Sequence, residues 1–103
     1  MPKNLDSVLN EFAEALSHKL GDVEVYLFGS YSKGDWIEDS DIDLLIVSDR
    51  FRSLDVGGRA RLVRSLAPKN ISLDLILYTY EEFERAKESL SMKDMIDSSI
   101  RVG

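Results

Sequence analysis

Apolar residues in the first fifth of the chain recur at the three- and four-residue spacing of a helix. They are Leu5, Val8, Leu9, Phe12, Leu16 and Leu20. Asn4 is a suitable N-cap, because its side chain can accept from the free N–H groups of the first turn. Gly21 is a suitable stop, because glycine accepts the backbone conformation that ends a helix. The pattern therefore predicts an amphipathic helix over 5–20.

Three short apolar runs that are rich in branched and aromatic residues predict strands. These strands cover 23–28, 42–47 and 71–78. Helical spacing returns between the last two runs and ends at Pro68. Thr79, followed three residues later by Glu82, forms a capping box that marks another helix start. The helices predicted after the first one cover 56–67, 80–90 and 92–100.

Helices that alternate with strands predict an α/β sandwich, in the broader α+β class, with helices packed mainly on one face of the sheet. The chain has 103 residues, of which 44% are hydrophobic, and it contains no linker rich in proline or glycine. We therefore expect a single domain over 1–103.

Composition excludes several kinds of function. The chain has no cysteine, which removes disulfides and thiolate metal sites, and its net charge of −6 disfavours stable binding to DNA. No apolar run is long enough to cross a bilayer, and the N-terminus lacks the build of a signal peptide. We expect a cytoplasmic protein without a membrane partner.

A glycine–serine pair and two aspartates carry the chemistry. Gly29 lets the backbone approach a phosphate closely, and Ser30 adds a hydroxyl donor beside exposed N–H groups. Asp41 and Asp43 are two residues apart at the head of a predicted strand, so their carboxylates point to one face. Mg²⁺ prefers such hard oxygen ligands and commonly lies between carboxylates and substrate phosphates. These residues together predict a site for a metal-bound nucleotide.

A third acid, Asp74, stands alone within the apolar run of the last predicted strand. An unpaired charge there would cost several kcal/mol if it were buried, so it needs a cation or an open face. Asp41, Asp43 and Asp74 could hold two Mg²⁺ ions about 3.5–4 Å apart, as in two-metal sites. Asp74 is the candidate general base.

The predicted strand over 42–47 also carries apolar side chains that another part of the protein must cover. Leu45 and Val47 share the face of Asp41 and Asp43, and apolar side chains need burial. The cover is either the last helices of this chain or a partner, which could be a second copy of the chain. The sequence leaves both alternatives open.

The order Gly29-Ser30, ten residues, Asp41-x-Asp43 and a later strand aspartate, Asp74, resembles the nucleotidyltransferase superfamily of DNA polymerase beta. The short length, with Gly34 and Ser40, resembles the minimal nucleotidyltransferase branch most. The resemblance covers about 23–78. It implies a mixed sheet of three to four strands with an open carboxylate face.

By resemblance, each site residue takes a role. The resemblance assigns nucleotide binding to Gly29, Ser30, Lys33 and Ser40, and metal binding and catalysis to Asp41, Asp43 and Asp74. Members of the family often carry arginine where this chain has Lys33, so the phosphate contact there would be a point charge and not a bidentate fork.

Two functions follow from the resemblance. The first is Mg²⁺-dependent transfer of a nucleoside monophosphate, AMP from ATP, to a hydroxyl acceptor that could belong to a partner toxin. The second is a non-catalytic, antitoxin-like module that neutralises a small helical partner of the HEPN type. Retention of all three aspartates favours catalysis, because carboxylates repel each other without a metal.

Charge is unevenly distributed along the chain. Residues 49–69 contain six basic and two acidic residues, whereas the remainder is strongly acidic. One interpretation is that Arg59, Arg61 and Arg64 form the solvated face of a helix. The alternative is an electrostatic docking surface for an acidic partner or a nucleotide.

Overall fold

The computed structural model describes residues 5–28, 42–69 and 71–103. The elements in chain order are α1 (Leu5–Leu20), β1 (Glu24–Phe28), β2 (Ile42–Val47), a 3₁₀ helix (Asp49–Ser53), α2 (Val56–Leu66), β3 (Leu73–Tyr78), α3 (Tyr80–Ala86), α4 (Leu90–Asp97) and β4 (Ile100–Arg101). Within these ranges, each helix is too short or too polar to cross a bilayer.

The four strands form one mixed sheet in the order β3-β2-β1-β4. β1 is antiparallel to both β2 and β4, whereas β2 and β3 are parallel. The predicted α+β class and mixed sheet are therefore confirmed. The predicted last helix is wrong at its end, because Ile100 and Arg101 pair with β1 as a short edge strand. The hydrogen bonds that the edge of β1 offers outweigh continuation of the helix beyond the serines at 98 and 99.

One face of the sheet is covered by α1 and α2. The helix α1 ends where predicted, with Gly21 at φ +79° and its N–H 2.9 Å from the carbonyl of Ser17. The main buried residues of this core are Leu9, Phe12, Leu16, Leu20, Val25, Leu27, Ile42, Leu44, Ile46, Phe51 and Val63. Burial of this apolar stripe positions β2 and β3, and so it positions the side chains on their other face.

The opposite face carries a second, smaller apolar cluster. Leu45 and Val47 are buried beside Phe83 of α3, and Ile96 of α4 packs against them. The cover for Leu45 and Val47 thus comes from the chain's own last helices, which confirms that alternative. Thr79 and Glu82 form the predicted capping box at the start of α3.

The arginines of α2 do not share one environment. The Arg59 side chain is only 12% exposed, so the predicted solvated face is wrong for this residue. Its guanidinium donates to the carbonyls of Phe51 (2.9 Å), Leu54 (3.1 Å) and Leu77 (3.2 Å), which explains why it is turned inward. Arg61 and Arg64 are exposed, as predicted.

Candidate active site: an aspartate pair at one end of the sheet

Asp43 of β2 and Asp74 of β3 are partners in the parallel ladder. Neighbouring strands lie about 4.8 Å apart, and side chains of register partners in a parallel pair leave the same face. The two carboxylates therefore start side by side, although 31 positions separate them in the sequence. They are two of the three acids that the sequence predicts for the site.

Strand alternation explains why both acids leave the core. Ile42 and Leu44 flank Asp43 and are completely buried on the α1–α2 side, so Asp43 points to the opposite face. In β3, Leu73 is buried and Asp74 is exposed. The register is fixed next to the pair by the Ile42 N–H, which donates to the Ser72 carbonyl at 2.9 Å.

The predicted phosphate-binding segment connects at the same end of the sheet. Phe28, the last residue of β1, is the antiparallel partner of Asp43, and Gly29 follows it directly in the chain. Ile42, the first residue of β2, follows Asp41 in the same way. The other predicted site residues lie outside the described residues. They are Gly29, Ser30, Lys33, Ser40 and Asp41.

The chemistry of this pair suits a hard divalent cation. The Asp74 carboxylate makes no hydrogen bond or ion pair with any other described residue, so its oxygens can act as ligands. Adjacent carboxylates repel each other, and a cation between them removes that penalty. Across 5–28, 42–69 and 71–103, no cluster of three metal-ligating side chains occurs. The predicted third ligand, Asp41, falls outside those ranges.

A tyrosine lies further along the same face, in the middle of β1. The Tyr26 hydroxyl donates to Glu24 Oε1, and the guanidinium of Arg101 lies 5.4 Å from the Tyr26 ring centre. Burial, together with the hydrogen bond to Glu24, raises the pKa of Tyr26 to about 12. Tyr26 therefore remains a neutral donor at physiological pH. The sequence prediction missed this cluster, for which strand alternation was the only available signal.

The mixed four-stranded sheet has the α+β architecture that the resemblance implies. The model of the nucleotidyltransferase domain family matches residues 9–100 of the chain. The chain therefore belongs to this family, and the enzyme class expected from the sequence is confirmed at the level of the family.

Two relatives come from Methanocaldococcus jannaschii, and both are provisionally named protein adenylyltransferases. They are 42% and 48% identical to this chain over 48 residues, which is 45% of the chain. The matched segment spans 33% of the length of the first relative and 48% of the second. The likeness thus concerns less than half of each of these proteins.

Solved structures extend the likeness to nearly the whole fold. A protein of Sulfolobus solfataricus, provisionally named a nucleotidyltransferase, is 25% identical with a TM-score of 0.66, covering 93% of this chain and 77% of its own. A toxin–antitoxin structure with AMP-PNP is 22% identical with a TM-score of 0.64, covering 92% of this chain and 72% of its own. The second likeness shows the fold alone.

Proposed function

We propose that the protein transfers AMP from ATP to a hydroxyl group of a protein acceptor and releases pyrophosphate. The acceptor oxygen forms a bond to the α-phosphorus, the bond from that phosphorus to the bridging oxygen breaks, and the leaving group is pyrophosphate. The observation that carries the proposal is the register pair of Asp43 and Asp74, which brings two carboxylates to one face.

In this proposal Asp43 and Asp74, with Asp41 as third ligand, hold Mg²⁺, and two ions are expected by analogy with two-metal sites. Bound Mg²⁺ would neutralise charge on the phosphates and the leaving group. Asp74 also accepts the proton of the acceptor hydroxyl, since it is exposed at the outer strand, where an acceptor can reach it. Positioning and charge neutralisation would supply most of the rate enhancement.

The nucleotide side of the site is proposed to be Gly29, Ser30, Lys33 and Ser40. Gly29 directly follows Phe28, the register partner of Asp43, so a triphosphate held there would lie beside the acid pair. The names of the archaeal relatives support AMP as the transferred group and protein as the acceptor class.

The test is transfer of label from ATP labelled at the α-phosphate, with Mg²⁺, into proteins of a host-cell extract. We expect a labelled band with the wild type and a loss of at least about 100-fold with Asp43→Asn or Asp74→Asn. Asp94→Asn removes an exposed acid of α4 and is the matched control, with transfer unchanged. Wild-type transfer by Asp43→Asn would refute the assignment of the site.

The second candidate function is an antitoxin-like module that neutralises a HEPN-type helical partner without catalysis. It is supported by the fold likeness to a toxin–antitoxin structure. The two candidates differ in their response to Asp43→Asn. A binding module would keep partner neutralisation and never show transfer, whereas a transferase would lose both together if modification of the partner is the means of neutralisation.

A further inference from the structure

The helix α2 runs antiparallel to β3, the outer strand of the sheet. Arg59, early in α2, donates to the carbonyl of Leu77, and Arg64, one and a half turns later, lies 3.5 Å from the carbonyl of Leu73. Both carbonyls point away from β2, at the open edge of the sheet. The side of α2 that carries Arg59 and Arg64 therefore follows the edge strand that carries Asp74.

Three basic residues, two on α2 and one just after it, make no ion pair with any described residue. Arg61, Arg64 and Lys69 are exposed, and none of them pairs with an acid in the described part of the chain. Arg59 differs, because it is enclosed and lies 2.7 Å from Glu82. Arg61, Arg64 and Lys69 form what we call the edge cations.

One of the edge cations, Arg64, contacts the strand that carries Asp74. Arg64 contacts the carbonyl of Leu73, the residue immediately before Asp74, from the side of β3 that faces away from β2. An acceptor that reaches Asp74 over this outer strand passes Arg64, the edge cation that contacts the strand. Positive charge there would hold an acidic acceptor close to carboxylates and phosphates that would otherwise repel it.

We propose that the edge cations dock an acidic segment of the acceptor protein, with carboxylates flanking the residue whose hydroxyl is modified. The proposal deepens the proposed function and rests on it for the role of the docked segment. A protein segment fits better than a nucleic acid, because the chain outside 49–69 is strongly acidic and would repel a long polyanion. A short acidic segment, unlike a long polyanion, can bind the edge cations without extending over the acidic remainder of the chain.

The test is direct binding, measured by fluorescence anisotropy, so that it does not depend on catalysis. The probe is a fluorescein-labelled nonapeptide with a central tyrosine flanked by four glutamates on each side, and its partner peptide carries lysines instead. We expect the wild type to bind the glutamate peptide at low salt and to bind it at least about tenfold more tightly than the lysine peptide. Equal binding of the two peptides, or no binding, would overturn the proposal.

Charge reversal locates the docking surface. Arg64→Glu, and the double variant with Arg61→Glu, should weaken binding of the glutamate peptide by about tenfold or more. The matched control is Arg52→Glu, in the same basic stretch but beyond the far end of β2. Its side chain is 68% exposed and, among the described residues, forms an ion pair with Asp49 alone. Arg64→Gln removes the charge of Arg64 without reversing it, and its effect on peptide binding shows how much of the loss is due to charge. Thermal unfolding curves of each variant show whether the protein is still folded. An equal loss with Arg52→Glu would overturn the assignment.

Two further results separate this proposal from the proposed function. Asp43→Asn should bind the glutamate peptide as well as the wild type does, even though it no longer transfers AMP. Peptide binding without any transfer by the wild type would therefore refute the proposed function while leaving the docking surface in place. Tighter binding of a single-stranded oligonucleotide of equal charge would overturn the choice of a protein segment.

Discussion

Arg59 and Glu82 form an ion pair with 2.7 Å between Nη1 and Oε1, across 23 positions of sequence. The same Glu82 oxygen accepts from the Thr79 N–H at 2.8 Å, so one carboxylate both caps α3 and holds α2. Arg59 also binds the Leu77 carbonyl at the end of β3. The pair therefore fixes α2 and α3 relative to the strand that carries Asp74.

We expect Arg59→Met to lower the free energy of unfolding by about 2–3 kcal/mol, because it removes a donor that three carbonyls and Glu82 share. We expect a smaller loss than for breaking a fully buried ion pair, because the Glu82 side chain is 41% exposed. Urea unfolding measures the change. Arg61→Met, on the exposed side of the same helix, should stay within about 0.5 kcal/mol of the wild type. Equal effects of the two variants would contradict the role of Arg59.

Glu82 should make stability depend on pH in the acid range. The Thr79 N–H, and then Arg59, lower the pKa of Glu82 below 4.5. The stabilisation that ionised Glu82 provides is thus fully present above pH 4.5. It is lost as the pH falls through the lowered pKa that Glu82 has in the folded protein. We expect the Tm advantage of the wild type over Glu82→Gln to be constant from pH 7 to 5 and to shrink as the pH falls further below 4.5. A difference that does not shrink at any pH at which both variants still fold would be inconsistent with this linkage.

Phe83 should be essential for the cover over the sheet face that bears the acids. Its side chain is 2% exposed, and its ring centre lies 5.4 Å from that of Tyr26. Phe83→Ala should cost about 3–5 kcal/mol, and Phe83→Leu less than about 1.5 kcal/mol. Leu90→Ala is the control, because Leu90 is 83% exposed, and it should change little. If Phe83→Ala were as mild as Leu90→Ala, α3 would not form this cover.

Magnesium should stabilise the folded protein through the aspartate pair. At 10 mM Mg²⁺ we expect the Tm of the wild type to rise by about 4 °C or more relative to EDTA, since a ligand that binds only the folded state stabilises it. Asp74→Asn should remove most of this rise, because it removes one of the proposed carboxylate ligands. Asp94→Asn should respond as the wild type does. An undiminished rise in Asp74→Asn would place the ion elsewhere.

Gly21 should resist substitution for a backbone reason alone. Its φ of +79° is unfavourable for residues with a Cβ, although a Cβ at this position would meet no other atom within 4 Å. Gly21→Ala should therefore cost about 1 kcal/mol in urea unfolding, and Gly21→Asn should cost less, since asparagine tolerates this conformation better. A neutral Gly21→Ala would show that the end of α1 relaxes.

Local signals in the sequence were sufficient to predict most helices and strands. The bounds of β2 agree with its apolar run, and the capping box placed the start of α3, because burial and hydrogen bonding within a few residues decide these features. β4 could not be predicted, since two residues become a strand only when the edge of β1 is beside them. The sequence also could not predict that the Arg59 side chain turns inward, because its hydrogen-bond partners belong to other elements of the fold.

The sequence by itself determined the fold class, the two-residue alternation of acids and apolar residues, and the kinds of ligand in the predicted site. It could not show that Asp43 and Asp74 are neighbours, nor whether the chain itself covers Leu45 and Val47. Strand register depends on burial of the complete core between the sheet and the helices α1 and α2. Which side chains contact each other depends on where elements distant in sequence pack. Only the tertiary structure decided that Asp43 faces Asp74 and that Arg64 lies along the same edge strand.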